Sequence, residues 1–248
     1  MNSRFENMPA RIAALPLDKR GFPIPFFVAY VNDEPVFHLA DQGKLIQCVR
    51  GNRCWVCGQP MGAYKAFTIG PMCVINRISA EPPSHLECSE WSAQNCPFLS
   101  RPNMGRVTKD PEGANTKLPA GEMIKRNPGV TAVYVTRDYK LVSSKTGGLF
   151  QLGLPSNIKM YSRGRKATEQ EILESIRTGL PELISICEKE RTPKAVSESK
   201  AVLRQYTEVA MSNLIHFLGV ETFTGLTSKS EVEQRRELLE YLFDAEKS

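Results

Sequence analysis

Hydrophobic positions along this chain fall into several periodic blocks, separated by stretches with no period. Pro25-Phe-Phe-Val-Ala-Tyr-Val31 and Pro35-Val-Phe-His-Leu39 are rich in β-branched and aromatic residues, and Asn32-Asp33-Glu34 between them supplies turn chemistry. That pattern predicts a β-hairpin, with Pro35 at the start of the return strand or on an edge. Asp41 can then cap a short helix over Gln42 to Arg50, whose Leu45, Ile46 and Val49 share one side. His38 falls in the return strand and reads as structural or solvent-facing.

A second strand-rich block starts at Val130-Thr-Ala-Val-Tyr-Val-Thr136, the clearest strand by β-branched content. Tyr139–Val142 and Leu149–Leu152 are expected beside it, with Gly147-Gly148 as a turn or joint and Asn157–Tyr161 as a further short strand. The period then becomes helical. Thr168-Glu-Gln-Glu171 is a capping box, followed by Ile172, Leu173, Ile176 and Leu180. Gly179 and Pro181 predict a break and a second helix carrying Leu183, Ile184, Ile186 and Cys187. Further helices are expected over about 195–217 and from Ser228-Lys-Ser-Glu231 onward. His216 and Cys187 lie on apolar helical faces and read as core residues.

Two segments carry no period. Residues 1–23 read as an irregular arm, and residues 100–129, rich in Pro, Gly, Asn, Lys and Arg, as a linker or as a loop that orders on a ligand.

Composition is that of an ordinary globular chain: 41% hydrophobic and 24% charged over 248 residues, enough to bury one or two cores. No apolar run is long enough to span a bilayer and no secretory leader is expected, so the reading is cytoplasmic, without a membrane. In a reducing compartment, seven cysteines point to metal binding or chemistry rather than to a disulfide framework. Net charge is +5 and unevenly spread: residues 137–166 carry seven basic and one acidic side chain, residues 167–248 ten and fifteen. A basic middle either serves a polyanion or lies against the acidic helices.

The cysteines change the picture most. Cys54-Trp-Val-Cys57-Gly58 is a two-residue-spaced pair followed by a glycine able to take the positive φ of a tight knuckle. After a 27-residue insert comes His85-Leu-Glu-Cys88. Pro82-Pro83-Ser84 is a helix-start signal with Ser84 as N-cap, which puts His85 and Cys88 on one face of the first turn. The insert offers a hairpin, Tyr64–Ile69 and Met72–Ile75 about a Gly70-Pro71 turn. Knuckle, hairpin and ligand-bearing helix, in that order, predict a treble-clef-like finger holding structural Zn2+ on Cys54, Cys57, His85 and Cys88. Cys73 stands in reserve, able to replace His85, while Cys96 lies two turns beyond Cys88 and is badly placed. Asn76, Arg77 and Glu81 form a small polar group beside the metal, read as support that orients the ligands.

This arrangement is similar to that of HNH-type nucleases and of many nucleic-acid-associated fingers. The nuclease reading lacks its residue, because Ala66-Phe-Thr-Ile69 has no catalytic histidine and Asn76 alone does not replace one. The chain as a whole resembles a family of uncharacterised bacterial and phage proteins. The resemblance rests on Cys54-Trp-Val-Cys57-Gly58, Gly70-Pro-Met-Cys73, Asn76-Arg77, Ser79-Ala-Glu-Pro-Pro-Ser-His85, Cys88, Trp91 and Cys96-Pro-Phe-Leu99. It extends to Gly164-Arg165, Ala167-Thr168 and Gly179-Leu-Pro181. It implies a bacterial or phage cytoplasmic setting and transfers no activity.

The expectation is therefore an α+β protein in three parts. Residues 1–99 form a hairpin plus zinc-bearing region, 100–129 a basic linker or loop, and 130–248 a small β-sheet followed by a C-terminal helical bundle. Its expected role is a zinc-stabilised binding protein for nucleic acid or a nucleic-acid-associated complex. Arg137, Lys140, Lys145, Lys159, Arg163, Arg165 and Lys166 would contact phosphates, and Tyr139 and Tyr161 would stack on bases. The alternatives are a metal-assisted enzyme acting on nucleic acid and a phage regulator that binds a host protein complex.

Overall fold

Thr131–Thr136 (β5) is buried along its whole length, on both faces. Continuous burial of this kind is what a β-branched run achieves when both sides of its sheet are covered. In the computed structural model, which describes residues 5, 7–101, 120–121, 127–144 and 147–190, β5 lies in the middle of a mixed α+β fold.

One neighbour of β5 is Lys65–Ile69 (β3), paired antiparallel with Phe67 opposite Tyr134. The other is Asn157–Ser162 (β8), with Tyr134 opposite Ile158, and Arg165–Lys166 (β9) completes the sheet in the order β3-β5-β8-β9. Leu86–Asn95 (α4) covers one face through Ala93, which clusters with Ala66, Val133, Val135 and Tyr161. The larger core fills the other face. There Phe67, Ala132, Tyr134, Ile158 and Met160 meet Val74 and Ile75 of Pro71–Asn76 (α3) and Ile172, Ile176 and Leu183 of Glu169–Glu190 (α6). A second sheet, Ile78–Ser79 (β4), Gly147–Leu152 (β7) and Tyr139–Ser144 (β6) in the order β4-β7-β6, adds Phe150 and Leu152 to the same core.

The N-terminal hairpin forms as expected, Val28–Val31 (β1) against Glu34–Ala40 (β2), with Asn32 and Asp33 both at positive φ, as a primed turn needs. Asp41 caps Gln42–Arg50 (α2), its carboxylate accepting from the Lys44 amide at 2.9 Å. The arm before it contains a short helix, Ala10–Ala13 (α1).

Several expectations change. Met72–Ile75 is not the return arm of a hairpin but part of α3: Pro71 sits at its first turn, where the missing N–H costs nothing, and β3 takes β5 as its partner instead. The expected treble-clef hairpin is thus replaced by a strand and a helix. Because β3 and β5 share a sheet, the parts drawn as 1–99 and 130–248 share one core across the 100–129 segment. Gly147 and Gly148 are not the turn but the paired start of β7, opposite Ser144 and Ser143. Helix α6 does not break at Gly179 and Pro181. An interior proline costs about 3 kcal/mol, and burial of Ile172, Ile176 and Leu183 on both sides of it offsets that cost. The helices expected over 195–217 and from Ser228, and with them the C-terminal bundle and His216, lie outside the described residues, as does most of 100–129.

Candidate metal centre

The knuckle grows out of the end of α2. Residues on either side of it form a narrow ribbon, with an Arg53–Pro60 bridge and the Asn52 side chain donating to the Met61 carbonyl at 2.8 Å. At the tip, the Gly58 amide donates to the Cys54 carbonyl at 2.8 Å, and Gly58 takes φ +72°. A Cβ there would lie 2.7 Å from the Phe26 ring, so the turn requires glycine on two counts. The hairpin supports the knuckle from behind: Phe26 N–H donates to the Val56 carbonyl (2.7 Å) and the Phe27 ring stacks on Trp55 at 5.0 Å.

The second pair arrives on α4. Ser84, expected as the N-cap, instead bridges to Ala66 of β3 through two backbone hydrogen bonds of 2.7 and 3.0 Å, and His85 takes the N-cap position. The bridge locks the start of α4 to the sheet. Trp55 N–H donates to the Pro83 carbonyl (3.1 Å), which fixes the same segment to the knuckle.

Cys54, Cys57, His85 and Cys88 therefore converge: their donor atoms all lie within 4.8 Å of one another and could hold a metal ion. The three cysteines are free of disulfides and buried. The His85 Nδ1 lies 3.4 Å from Cys57 Sγ and 3.9 Å from Cys88 Sγ. Its Nε2 faces the Pro60 carbonyl at 3.0 Å. A carbonyl only accepts, so Nε2 carries the proton and the Nδ1 lone pair is left facing the sulfurs.

Backbone amides point at the same atoms. The Cys57 and His85 N–H groups each donate to Cys54 Sγ at 3.4 Å. Hydrogen bonds from the Cys57 and Cys88 thiols, reinforced by these amides against the opposing effect of burial, hold the Cys54 thiol well below the ordinary cysteine range. The same contacts push Cys57 and Cys88 up, the bond with Cys54 being the largest cause for each. Three buried sulfurs within reach of one another compete over their protons, and a cation among them would relieve that competition.

Cys73 does not join them. It lies on α3, packed against the main core. Cys96 is the junction between α4 and Pro97–Ser100 (α5), where burial raises its thiol. Cys48 is a further thiol next to the knuckle, donating to the Cys54 carbonyl at 3.8 Å and pushed up to about 12 by burial. The polar trio expected near the metal shapes the α3–β4 turn: Asn76 Oδ1 accepts from Ile78 N–H, Arg77 adopts the left-handed conformation at the helix end, and Glu81 exchanges backbone hydrogen bonds with the Ser79 hydroxyl. The Cys57 and His85 amides address Cys54 Sγ, and the Pro60 carbonyl holds the far ring nitrogen of His85. The knuckle spacing announces the amides, and nothing in the sequence announces Pro60.

The expected phosphate-binding set is not one surface. Arg163, Arg165 and Lys166 sit at the end of the sheet marked by Thr131, and Arg137 follows Thr136 at the opposite end, about 17 Å of strand away. Arg165 and Arg163 pair with Glu171 (2.9 and 3.8 Å), and Lys159 pairs with Glu90 of α4. The basic middle thus lies, at least in these three residues, against acidic helical side chains. Tyr161 is 6% exposed and Tyr139 packs edge-on against Phe67 and Phe150, so neither presents the open ring expected of it. Lys140 is exposed on β6, and Lys145 lies outside the described residues. Sequence reasoning passed over Tyr64, half exposed, which carries Arg137 on its ring at 4.9 Å and accepts from it at 2.8 Å.

Comparison with family models, with curated proteins and with solved structures gives no match. No described helix is long and apolar enough to cross a membrane. Fold and site together define a mixed α+β protein with a Cys3His cluster in its N-terminal part.

Proposed function

We propose that Cys54, Cys57, Cys88 and His85 hold a structural zinc ion, and that the protein it stabilises is a binding protein rather than an enzyme. The observation that carries the first half is the fit of the donor set. Zinc bonds of about 2.3 Å to sulfur and about 2.0–2.1 Å to nitrogen place tetrahedral S···N edges at about 3.6 Å. The two S···N distances, 3.4 and 3.9 Å, bracket that value. Soft thiolates with one imidazole suit zinc over the hard divalent ions. Four protein donors complete a tetrahedron, which favours a structural role; when bound, the ion supplies the cross-link between knuckle and helix. The chain's own part is to hold the Nε2 proton of His85 on Pro60 and to aim two amides at Cys54.

Nucleic acid, or a nucleic-acid-associated complex, is the partner class we carry forward. Support comes from the net charge of +5 and from the exposed Arg137–Tyr64 pair, which offers a cation and a ring face together, with Lys140 nearby in sequence. Fluorescence anisotropy with a labelled single-stranded oligonucleotide tests this. Arg137→Glu should weaken binding several-fold at low salt and make the log–log salt dependence shallower by about 1. Arg165→Glu should have a smaller effect, because Glu171 already neutralises Arg165. No measurable binding at low salt by the wild type would move the partner to protein.

A further inference from the structure

The segment before the hairpin carries no cysteine, yet it lies directly on the metal centre. Ile12 of α1 is 0% exposed and clusters with Cys54, Val56, Cys57, Met61 and Cys88. Beside it, Arg11 reaches both ligand-bearing segments. Its Nε donates to Glu87, the residue preceding Cys88, at 2.8 Å, and its Nη1 donates to Gln59 Oε1 at 2.5 Å. Gln59 belongs to the knuckle itself: its carbonyl accepts from the Cys54 amide at 2.8 Å and its own amide bonds to Cys57. Phe5 continues the contact, its ring edge-on to Trp91 of α4 at 5.3 Å.

We propose that Arg11 is a positioning residue of the metal centre, a clasp that ties the knuckle to the ligand-bearing helix and slows escape of the ion. The inference rests on the zinc reading above. An ion leaves a four-ligand site when the two pairs separate. The knuckle and the α4 pair come from segments 27 residues apart, and Arg11 is a third segment bound to one residue in each. Both Arg11 and Glu87 are about half exposed (41% and 52%), so their pairing adds little to global stability. Its effect should appear in the opening of the site rather than in the unfolding of the chain.

The test is metal release. Full-length protein loaded with one equivalent of zinc is mixed with excess EDTA, and loss of zinc is followed by sampling on a desalting column with elemental analysis. Thermal melting is recorded in parallel. Arg11→Ala should release zinc about five- to tenfold faster than the wild type with its melting temperature nearly unchanged. Arg11→Lys, which keeps the charge facing Glu87 but loses the fork that also reaches Gln59, should fall between them. Glu87→Gln, which weakens the other end, should also accelerate release. Lys19→Ala is the control, since that arm cation is exposed and pairs with Glu34 of the hairpin. Wild-type release rates in both Arg11→Ala and Glu87→Gln would overturn the clasp, as would equal acceleration by Lys19→Ala. A wild-type chain that takes up no zinc would overturn the zinc reading itself, and so is distinguishable from either.

Discussion

Gly58→Ala is the smallest change that reaches the centre without touching a ligand. Two costs are visible. Gly58 has φ +72°, and holding an L-residue in the left-handed region costs about 1–2 kcal/mol. The added Cβ would also lie 2.7 and 2.8 Å from Phe26 Cδ2 and Cγ. Phe26 cannot simply withdraw, because its amide is bonded to the Val56 carbonyl in the middle of the knuckle. Overpacking of this kind costs about 1–3 kcal/mol. The sum, about 2–5 kcal/mol, is a large share of a typical stability of about 5–15 kcal/mol. For a chain of this size it corresponds to a melting temperature lower by roughly 5–15 °C. Differential scanning calorimetry reads it directly. The two costs separate with a second substitution. Phe26→Ala destabilises alone, but in its presence Gly58→Ala should cost only the backbone part, so the pair should be less damaging than the sum. Gly58→Ala melting within about 2 °C of wild type would refute the argument, and strict additivity with Phe26→Ala would refute its steric half.

Two further expectations can be measured alongside. Glu171 accepts from Arg165, and that bond, helped by the Thr168 amide and acting against burial, holds its carboxyl at about 2. A depressed native value means stability that is complete above the ordinary carboxylate range and lost as pH falls toward 2. Solvent around the half-exposed Arg165 screens the pair and keeps the effect small, so urea melts of Glu171→Gln should show slightly less acid sensitivity between pH 5 and pH 2. Cys73→Ser and Cys96→Ser should keep full metal content, because neither sulfur lies in the four-donor cluster, whereas Cys54→Ser should lose metal and stability together; elemental analysis of the purified variants checks both statements.

Local signals in the sequence reported local structure well. The Asn32-Asp33 turn, the Asp41 cap and the Thr168–Glu171 capping box depend on residues within four of one another, and all three form. The four donors belong to the same class, since each pair is set by a two-residue spacing. What stayed hidden was set by distant segments. Lys65–Ile69 looks like the first arm of a hairpin because its tertiary partner, Thr131–Thr136, lies some sixty residues on, and nothing short-range names it. Met72–Ile75 has strand-like residue types, but Pro71 and the demand for a buried Val74 and Ile75 over the sheet make it helical. Charge counting showed a basic middle without showing that Glu90 and Glu171 neutralise part of it or that the sheet separates the rest. Ile12 and Arg11 escaped notice because a metal centre's supports need not be metal-binding residue types. Reading the spaced pairs as knuckle, hairpin and helix kept the ligands and misplaced the hairpin.

The measurement closest to the central claim is zinc K-edge X-ray absorption on the protein as purified, with elemental analysis of the same sample. The account predicts about one zinc per chain with three sulfur neighbours at about 2.3 Å and one nitrogen at about 2.0–2.1 Å, and loss of one sulfur or of the ion in Cys88→Ser. A folded wild-type chain with no bound metal, or a shell lacking the imidazole nitrogen, would contradict it.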